Sequence, residues 1–221
     1  MEPRRTAVLI SGTGTNLQAL IDATAGGDHP ARIVLVISNR EGAGGLERAA
    51  RAGIPTRVIP SARFETRGAF DTALDTALRE AEVDLVCLAG FMRVLGQDFV
   101  ARWRDRMLNI HPSLLPAFRG LETHARVLEA GLPVTGCTVH FVRPEIDEGP
   151  VLVQGVVPVF PEDDVETLNA RVLEVEHRCY PRALEMVAAG RISVIDERAV
   201  LAGERPFERL VLHPSLQEAT R

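Results

Sequence analysis

The stretch VDLVCLA at residues 83–89 decides how the rest of the chain is interpreted. Asp84 is its single polar residue, so the run lacks the alternation of apolar and polar side chains that a half-exposed strand shows. A nearly unbroken apolar run is typical of a central strand in a parallel sheet, because both of its faces are covered. The chain turns at Gly90 directly afterwards. The sequence therefore predicts a buried parallel strand that ends at a glycine.

Strands and helices alternate on the N-terminal side of this run. The β-favouring runs are at 6–10, 33–37 and 56–59, and apolar residues at helical spacing occur at 17–21, 46–52 and 70–81. This alternation predicts an α/β fold: an open, doubly wound, mostly parallel Rossmann-like sheet with helices on both faces. Ligands of such sheets bind beyond the carboxyl ends of the strands, so we expect a site there.

The pattern changes on the C-terminal side. Residues 136–142 and 151–157 predict an antiparallel strand pair, and between them lies a turn-rich acidic loop at 143–150. Residues 163–189 predict a long helix, because an acidic turn opens the segment and Gly190 follows it.

The end of the chain gives the weakest pattern. Residues 191–221 contain one weak strand at 192–195, and we expect the remainder to be an irregular tail. No internal repeat, low-complexity block or interdomain linker interrupts the sequence. The sequence therefore predicts a single domain over 1–221, in which 191–221 is a short C-terminal tail.

Composition limits the classes of function. The chain has 221 residues, 46% hydrophobic and 25% charged, and its formal net charge is −5. That charge does not favour binding to nucleic acid or to a membrane surface. No apolar run approaches the roughly 18 residues that a membrane helix needs. Because Cys87, Cys137 and Cys179 have no metal-binding spacing, we expect a reduced, cytoplasmic protein without a metal, a nucleic-acid partner or a membrane partner.

The choice of basic residues excludes the kinds of site that depend on lysine. The sequence contains no lysine, and all 25 basic residues are arginine. This excludes a Schiff-base lysine, a pyridoxal-phosphate site and a P-loop lysine. We therefore expect any bound phosphate to be held by backbone N–H groups and arginine.

A glycine turn, SGTGTN at residues 11–16, joins the first predicted strand to the first predicted helix. This arrangement directs free N–H groups and the positive end of the helix dipole at an anion. It is not a dinucleotide fingerprint, because the third glycine is missing and the strand at 33–37 is followed by Ser38-Asn39-Arg40 rather than an acid. We expect a single phosphate as its ligand, and the alternative is a tight turn without a ligand.

The stretch LNIHPSLLP at 108–116 places an amide and an imidazole at the end of a predicted strand. Asn109 and His111 are two residues apart, so they point to the same face. Pro112 and Pro116 each restrict the preceding residue to extended geometry. An amide donor and a titratable imidazole on a stiff edge suit a developing oxyanion. The alternative is that Asn109 caps the loop and His111 packs.

Five motifs occur in order along the chain. They are SGTGTN at 11–16, AGFMR at 89–93, LNIHPSLLP at 108–116, TVHFV at 138–142 and DEGP at 147–150. Together they resemble the folate-dependent formyltransferases, most closely the branch that formylates glycinamide ribonucleotide (phosphoribosylglycinamide) in de novo purine biosynthesis. The resemblance runs from the region of Thr6 to that of Gly190.

The resemblance implies roles for individual residues. Asn109, His111 and Asp147 match the catalytic trio of the family. The loop that holds the ribotide phosphate matches Gly14, Thr15 and Asn16. A second ribotide contact matches Leu173, Glu174, Val175 and Glu176, where Leu173 replaces a more polar residue. The positions that contact the folate match Arg67, Met92, Arg93, Val94, Leu95, Asn109, Arg143, Pro144, Glu145, Ile146 and Asp147.

The resemblance also implies a reaction, with 10-formyltetrahydrofolate as co-substrate and no metal. The amine of the ribotide attacks the formyl carbon, and Asn109 and protonated His111 donate hydrogen bonds to the tetrahedral oxyanion. Asp147, if adjacent, favours the imidazolium. His140 lies on a strand beside the site, where we expect it to pack or to support. The implied enzyme acts on small molecules as a monomer or a homodimer.

Three other functions stay open at this point. A formyltetrahydrofolate deformylase uses the same trio with water as the acceptor, but its relatives carry an extra N-terminal regulatory domain, and the first strand here begins at residue 6. A methionyl-tRNA formyltransferase needs a basic C-terminal nucleic-acid domain, for which the residues after Gly190 are too few. A non-catalytic sensor of ribotide or folate needs the Gly14 loop and no trio. Formyl transfer assayed with and without the ribotide separates these functions.

Overall fold

The structure, a computed structural model, describes residues 2–203 and is built on one sheet of seven strands. The strands are β1 (Arg4–Ile10), β2 (Ala31–Ser38), β3 (Thr56–Val58), β4 (Leu85–Leu88), β5 (Met107–His111), β6 (Val134–Phe141) and β7 (Val151–Pro158). The helices are α1 (Thr15–Thr24), α2 (Gly44–Arg51), α3 (Arg67–Glu80), α4 (Gln97–Arg102), α5 (Thr123–Glu129) and α6 (Val165–Ala188), with a 3-10 turn at Ser61–Arg63.

The strand order is β3-β2-β1-β4-β5-β6-β7. Strands β1 to β5 pair in parallel, and β6 and β7 each pair antiparallel to the preceding strand. The predicted doubly wound, mostly parallel sheet with an antiparallel strand pair is therefore confirmed. The chain proceeds from β1 towards one edge and later from β4 towards the other. The crevice beyond the carboxyl ends of β1 and β4 is consequently the switch point at which such sheets bind ligands.

Helices cover both faces, as the alternation along β1 demonstrates. Val8 and Ile10 belong to a buried cluster with residues of α1, α2, α5 and α6. Ala7 and Leu9 belong to a second buried cluster with residues of α3 and α4. All four side chains are fully buried. Because successive strand residues point to opposite faces, one central strand holds two helical layers together.

The long helix α6 begins where its sequence predicts. Asp164 precedes it, accepts a hydrogen bond from the backbone N–H of Thr167 at 2.8 Å, and donates its own N–H to the Thr167 hydroxyl at 3.0 Å. This reciprocal pair is a capping box, which satisfies two N–H groups that the helix leaves without partners. Further along, the Tyr180 hydroxyl lies 3.0 Å from the Leu88 carbonyl and 3.1 Å from that of Leu108. The helix is thereby fixed against β4 and β5, the strands that lead into the site.

Two features differ from the sequence prediction. Helices α4 and α5 were not predicted, because six and seven residues are too few to show a clear helical period. The prediction of an irregular tail after residue 195 was wrong for residues 198–201. Strands β8 (Ile192–Ile195) and β9 (Arg198–Leu201) form an antiparallel hairpin. Residues 204–221 of the predicted tail lie outside the described residues.

The residues of the turn explain why the sequence did not predict the β8–β9 hairpin. Its two central residues, Asp196 and Glu197, have positive φ angles of 48° and 56°. A two-residue hairpin turn with this geometry is most often recognised by Asn-Gly or Asp-Gly, and Glu is an unusual second residue.

None of the helices within residues 2–203 is long and apolar enough to cross a bilayer.

Candidate active site

Strand β5 presents Asn109 and His111 to a cavity of about 580 Å³. Leu108 and Ile110, at the alternate positions of the strand, pack in the buried cluster under α6, and Ile110 also reaches the cavity wall. The alternation of the strand therefore sends Leu108 and Ile110 to the face under α6 and the polar pair to the opposite face, which Met107 shares in the second buried cluster. Both polar residues line the same cavity, as predicted from their spacing.

Asp147 completes the group from the loop between β6 and β7. Its Oδ2 lies 3.3 Å from Nδ1 of His111, and its Oδ1 lies 3.7 Å from Nε2 of His140. The backbone N–H of Gly120 donates to Oδ2 at 2.9 Å. Asp147 has a φ of 57°, a left-handed conformation that Asp adopts more readily than most residues. The loop thus holds a nearly buried carboxylate between two imidazole rings.

The contacts of His111 assign its ring nitrogens. Nε2 lies 2.9 Å from the carbonyl oxygen of Phe118, which can only accept, so Nε2 carries a proton. Nδ1 lies 3.3 Å from Oδ2 of Asp147, a contact that becomes an ion pair when the ring carries its second proton. Both nitrogens are directed at protein atoms in this conformation. The expectation that His111 donates to an oxyanion therefore requires it to exchange its hydrogen bond to Phe118 or its contact with Asp147.

His140 directs the amide of Asn109. Its Nδ1 lies 2.9 Å from the carbonyl oxygen of Phe141 and must donate there, so the neutral ring accepts at Nε2. Nδ2 of Asn109 lies 3.3 Å from that Nε2. Burial lowers the pKa of His140, which keeps the ring in this neutral form. The second N–H of Asn109 remains for the cavity.

His140 was expected to pack or to support, and its contacts with Asn109 and Asp147 are those of a supporting residue. The pairing of β5 with β6 places Asn109 directly opposite His140. Residues opposite each other on neighbouring strands are close enough for their side chains to interact. The TVHFV motif was visible in the sequence, but the register that brings it to Asn109 was not.

Most of the positions predicted to contact the folate line the 580 Å³ cavity. They are Met92, Arg93, Val94, Leu95, Asn109, Arg143, Pro144, Glu145, Ile146 and Asp147. Arg67 is the exception: it is exposed at the first turn of α3 and is not part of the wall. The wall also includes residues 120–123 before and at the start of α5, which were not predicted.

The cavity has the size and lining of a small-molecule site. Its volume lies within the roughly 300–1,000 Å³ typical of small-molecule sites, which combine apolar walls with a few polar groups. Three loops place exposed apolar side chains at it, namely Met92 (63% exposed), Leu121 (77%) and Ile146 (57%). Apolar side chains that remain exposed beside polar catalytic candidates are suited to cover a flat ligand.

The glycine loop forms a separate pocket of about 230 Å³. It is lined by residues 11–16 together with Arg40, Ala89, Gly90 and Met92. Gly14 precedes α1 with a φ of 73°, and no side chain caps the first turn of the helix. A Cβ on Gly14 would lie 2.5 Å from the Cα of Gly45, so the turn requires glycine for packing as well as for conformation. The free N–H groups of α1 therefore point to a pocket that contains arginine.

Of the second set of predicted ribotide contacts, the structure brings Glu176 to this loop. Nδ2 of Asn16 donates to Oε2 of Glu176 at 2.7 Å, and burial raises the pKa of this carboxyl. Glu174 is exposed, Val175 packs towards β7, and Leu173 is half-buried. None of these three lines either cavity. Oδ1 of Asn16 is buried and makes no hydrogen bond.

The two cavities adjoin, because Gly90 and Met92 line both of them. One side offers N–H groups and Arg40 for an anion, and the other offers an amide donor, two imidazoles and a carboxylate. Within residues 2–203, no group of three or more His, Cys, Asp or Glu side chains is arranged to hold a metal ion. The arrangement can bind an anionic substrate beside a flat apolar one, stabilise an oxyanion and move a proton.

Comparison with known proteins identifies the family of this chain. Residues 4–184 match the family described as Formyl transferase. The chain is 45% identical over 198 residues to the phosphoribosylglycinamide formyltransferase of Escherichia coli (strain K12), covering 90% of this chain and 93% of that protein. The crystal structure of glycinamide ribonucleotide transformylase 1 from Symbiobacterium toebii has a TM-score of 0.88 at 49% identity, covering 90% of this chain and 94% of that one.

A longer relative shares the same region. The trifunctional purine biosynthetic protein adenosine-3 of Gallus gallus is 56% identical over 190 residues. That alignment covers 86% of this chain and 19% of the relative, so this chain spans about a fifth of the length of such trifunctional proteins.

Proposed function

This chain belongs to the formyl transferase family, and on that premise we propose that it transfers the formyl group of 10-formyltetrahydrofolate to the amine of glycinamide ribonucleotide in purine biosynthesis. The observation that carries the proposal is the position of Asp147. Its carboxylate lies 3.3 Å from His111 and 3.7 Å from His140, in the wall of a cavity that adjoins the glycine-loop pocket. A group that can accept and return a proton thus lines the cavity that adjoins the glycine-loop pocket.

The substrates occupy the two cavities. The ribotide phosphate binds the N–H groups of Gly14, Thr15 and Asn16, and Glu176 supports Asn16 from α6. The pterin of the folate binds between residues 92–95 and 143–147. Because Gly90 and Met92 line both cavities, the ribotide amine and the formyl carbon meet beside β5.

Catalysis begins when the amine attacks the formyl carbon, which turns the formyl oxygen into an oxyanion. Asn109 donates its free N–H to that oxygen, since its other N–H is committed to His140. Protonated His111, paired with Asp147, places a positive charge beside it and exchanges its bond to Phe118 for one to the oxyanion. Each oriented donor contributes about 2.7–4 kcal/mol on the scale of oxyanion-hole deletions.

Collapse of the intermediate needs a proton on the folate nitrogen that leaves. The attacking amine has one proton in excess once the new C–N bond has formed. Asp147 accepts it, and the Asp147–His111 pair returns it to the folate N10 as the bond from that nitrogen to carbon breaks. The products are the formylated ribotide and tetrahydrofolate, so no proton is gained from or lost to solvent.

Two further properties belong to the proposal. We place the enzyme in the cytoplasm, which the three free, buried cysteines support because a reducing compartment keeps thiols unpaired. It acts as a monomer or a homodimer on small molecules only.

The assay follows folate absorbance with 10-formyltetrahydrofolate present, with and without glycinamide ribonucleotide. We expect turnover only when the ribotide is present, and formylated ribotide in equal amount to tetrahydrofolate. Equal turnover without the ribotide, with release of formate, would instead assign a deformylase. Binding of both ligands without turnover would assign a sensor.

A further inference from the structure

The hairpin β8–β9 reaches the candidate active site through a network of ion pairs. Glu197, in the hairpin turn, accepts from Nε of Arg143 at 2.6 Å. Nη2 of Arg143 donates to Asp105 at 2.6 Å, and Arg104 forms a second ion pair with Glu197. Arg143 therefore connects the hairpin to the segment between α4 and β5.

Arg143 is the buried member of this network. Its side chain is 5% exposed, against 42% for Asp105 and 55% for Glu197. Its third hydrogen bond goes to the Val142 carbonyl at 3.1 Å. Arg143 and Arg104 hold the pKa of the Glu197 carboxyl below its ordinary value. A guanidinium withdrawn from water in this way needs its partners, because an unpaired buried charge is costly.

Arg143 is also the first residue of the loop that carries Asp147. Residues 143–147 all line the 580 Å³ cavity. The far end of the loop is held by the N–H of Gly120, which donates to Asp147, and by an ion pair between Arg119 and Glu148. The near end is held by the side chain of Arg143. Glu197 thus belongs to one of the two anchors of the loop, although it lies beyond residue 184, where the family match ends.

We propose that Glu197 is a positioning residue for the folate site. It fixes Arg143, and through Arg143 it holds residues 143–147 in the conformation that binds the pterin and presents Asp147 to His111. This inference rests on the proposed function, because it takes the cavity to be the folate site. It gives the hairpin a role in the reaction and identifies a residue outside the catalytic trio that acts through the loop at 143–147.

The test compares Glu197→Ala and Glu197→Gln with the parent protein. We measure KM for each substrate and kcat, the affinity for tetrahydrofolate by calorimetry, and the melting temperature. Glu197→Gln keeps the shape of the side chain and removes its charge. Glu185→Ala, which removes an exposed ion pair with Arg182 on α6, is the matched control.

We expect Glu197→Ala to raise both the KM for the folate substrate and the Kd for tetrahydrofolate about tenfold. Glu197→Gln should raise the same two constants by a smaller factor. KM for the ribotide should stay within about twofold of the parent, as should every constant of Glu185→Ala. A selective loss of folate affinity in a variant that melts near the parent supports the positioning role. Unchanged folate constants, or an equal loss for both substrates, would overturn it.

The tetrahydrofolate titration keeps this inference separable from the proposed function. If the parent binds tetrahydrofolate but transfers no formyl group, the proposed function fails, and the Kd values of the Glu197 variants still decide whether Glu197 positions the loop. If the parent does not bind tetrahydrofolate, the cavity is not a folate site and the inference is overturned as well.

Discussion

The hydrogen bonds at the centre of the site have directions that the backbone dictates. The Phe141 carbonyl requires a proton on Nδ1 of His140, so Nε2 of that ring is an acceptor and fixes the amide of Asn109. The Phe118 carbonyl requires a proton on Nε2 of His111, which leaves Nδ1 for Asp147. Two carbonyl groups outside the trio thus determine which atoms the trio presents to a substrate.

The first prediction concerns the Asp147→Asn variant, which keeps the shape of the side chain and removes its charge. We expect kcat at neutral pH to fall about 100- to 1,000-fold, because the amide cannot take up a proton and His111 loses its counter-charge. The residual rate should favour more acidic conditions. KM for the ribotide should change little, since the loss is in the transition state. Steady-state kinetics across the pH range check this, and near-parental activity would contradict it.

The second prediction concerns the pH dependence that His140 gives to stability. Its pKa in the folded protein is lowered from 6.5, chiefly by burial. As the pH falls below 6.5, the unfolded chain therefore takes up a proton at this position before the folded chain does, and the free energy of unfolding decreases until the pH reaches the lowered pKa.

The variant His140→Gln has no proton to gain and should lose less stability on acidification than the parent. Denaturant unfolding of both proteins at about pH 7.5 and about pH 5 measures the difference. The parental Asn109 also loses its acceptor when His140 becomes protonated, so activity should fall over the same range. An identical pH dependence of stability in both proteins would argue against a neutral, buried His140.

At the scale of elements, the glycine loop at 11–16 depends on α6 as well as on α1. Asn16, in the first turn of α1, donates to Glu176 in the middle of α6 at 2.7 Å. Gly14 is unsuitable as a probe of phosphate binding, because any side chain there meets the Gly45 backbone and damages the turn itself. The contact between Asn16 and Glu176 can be removed without that damage.

The third prediction uses this contact. Glu176→Ala leaves the Asn16 amide without its partner, and we expect KM for the ribotide to rise about tenfold while KM for the folate stays near the parental value. Glu185→Ala on the same helix is the control, since its ion pair is exposed and remote from both cavities. Steady-state kinetics with each substrate varied in turn give the answer. A parallel rise in both KM values would refute a dedicated ribotide contact.

The fourth prediction tests the packing of α6 on β7. A Cβ on Gly155 would lie 2.2 Å from Cγ1 of Val175 and 2.7 Å from Sγ of Cys179. Gly155→Ala should therefore reduce the free energy of unfolding by about 1–3 kcal/mol through overpacking. Gly26→Ala, at a position with nothing within 4 Å, should have little effect. Urea unfolding of the two variants measures the difference, and equal stabilities would show that the helix can shift without cost.

At the scale of the whole molecule, local patterns predicted the sheet and the shared face of Asn109 and His111, and the family resemblance added Asp147. Neither predicted the contacts between distant segments. The apolar run at 83–89 and the strand–helix alternation were enough for the parallel sheet, because burial on both faces leaves a pattern in the sequence itself. The spacing of Asn109 and His111 similarly predicted that both face one cavity. Such properties follow from the period of a single strand.

What escaped prediction depends on register and on tertiary packing. His140 reaches Asn109 through the alignment of β6 with β5, and Glu197 reaches Arg143 through a hairpin whose turn residues are unusual. Residues 120–123 line the cavity just before and at the start of α5. No periodic pattern in the sequence predicts this position. Conversely, Arg67 fits a family position by sequence but lies exposed outside the cavity wall. One-dimensional patterns carry no information on these distances.

The most direct test of the central claim traces the formyl carbon. The protein is incubated with glycinamide ribonucleotide and 10-formyltetrahydrofolate labelled with carbon-13 in the formyl group, and the products are identified by NMR and mass spectrometry. We expect the label to appear in the ribotide, one formyl group for each tetrahydrofolate released, and the Asp147→Asn variant to form this product far more slowly. Label recovered as formate, with the ribotide unchanged, would contradict the claim that the chain is a formyltransferase acting on this amine.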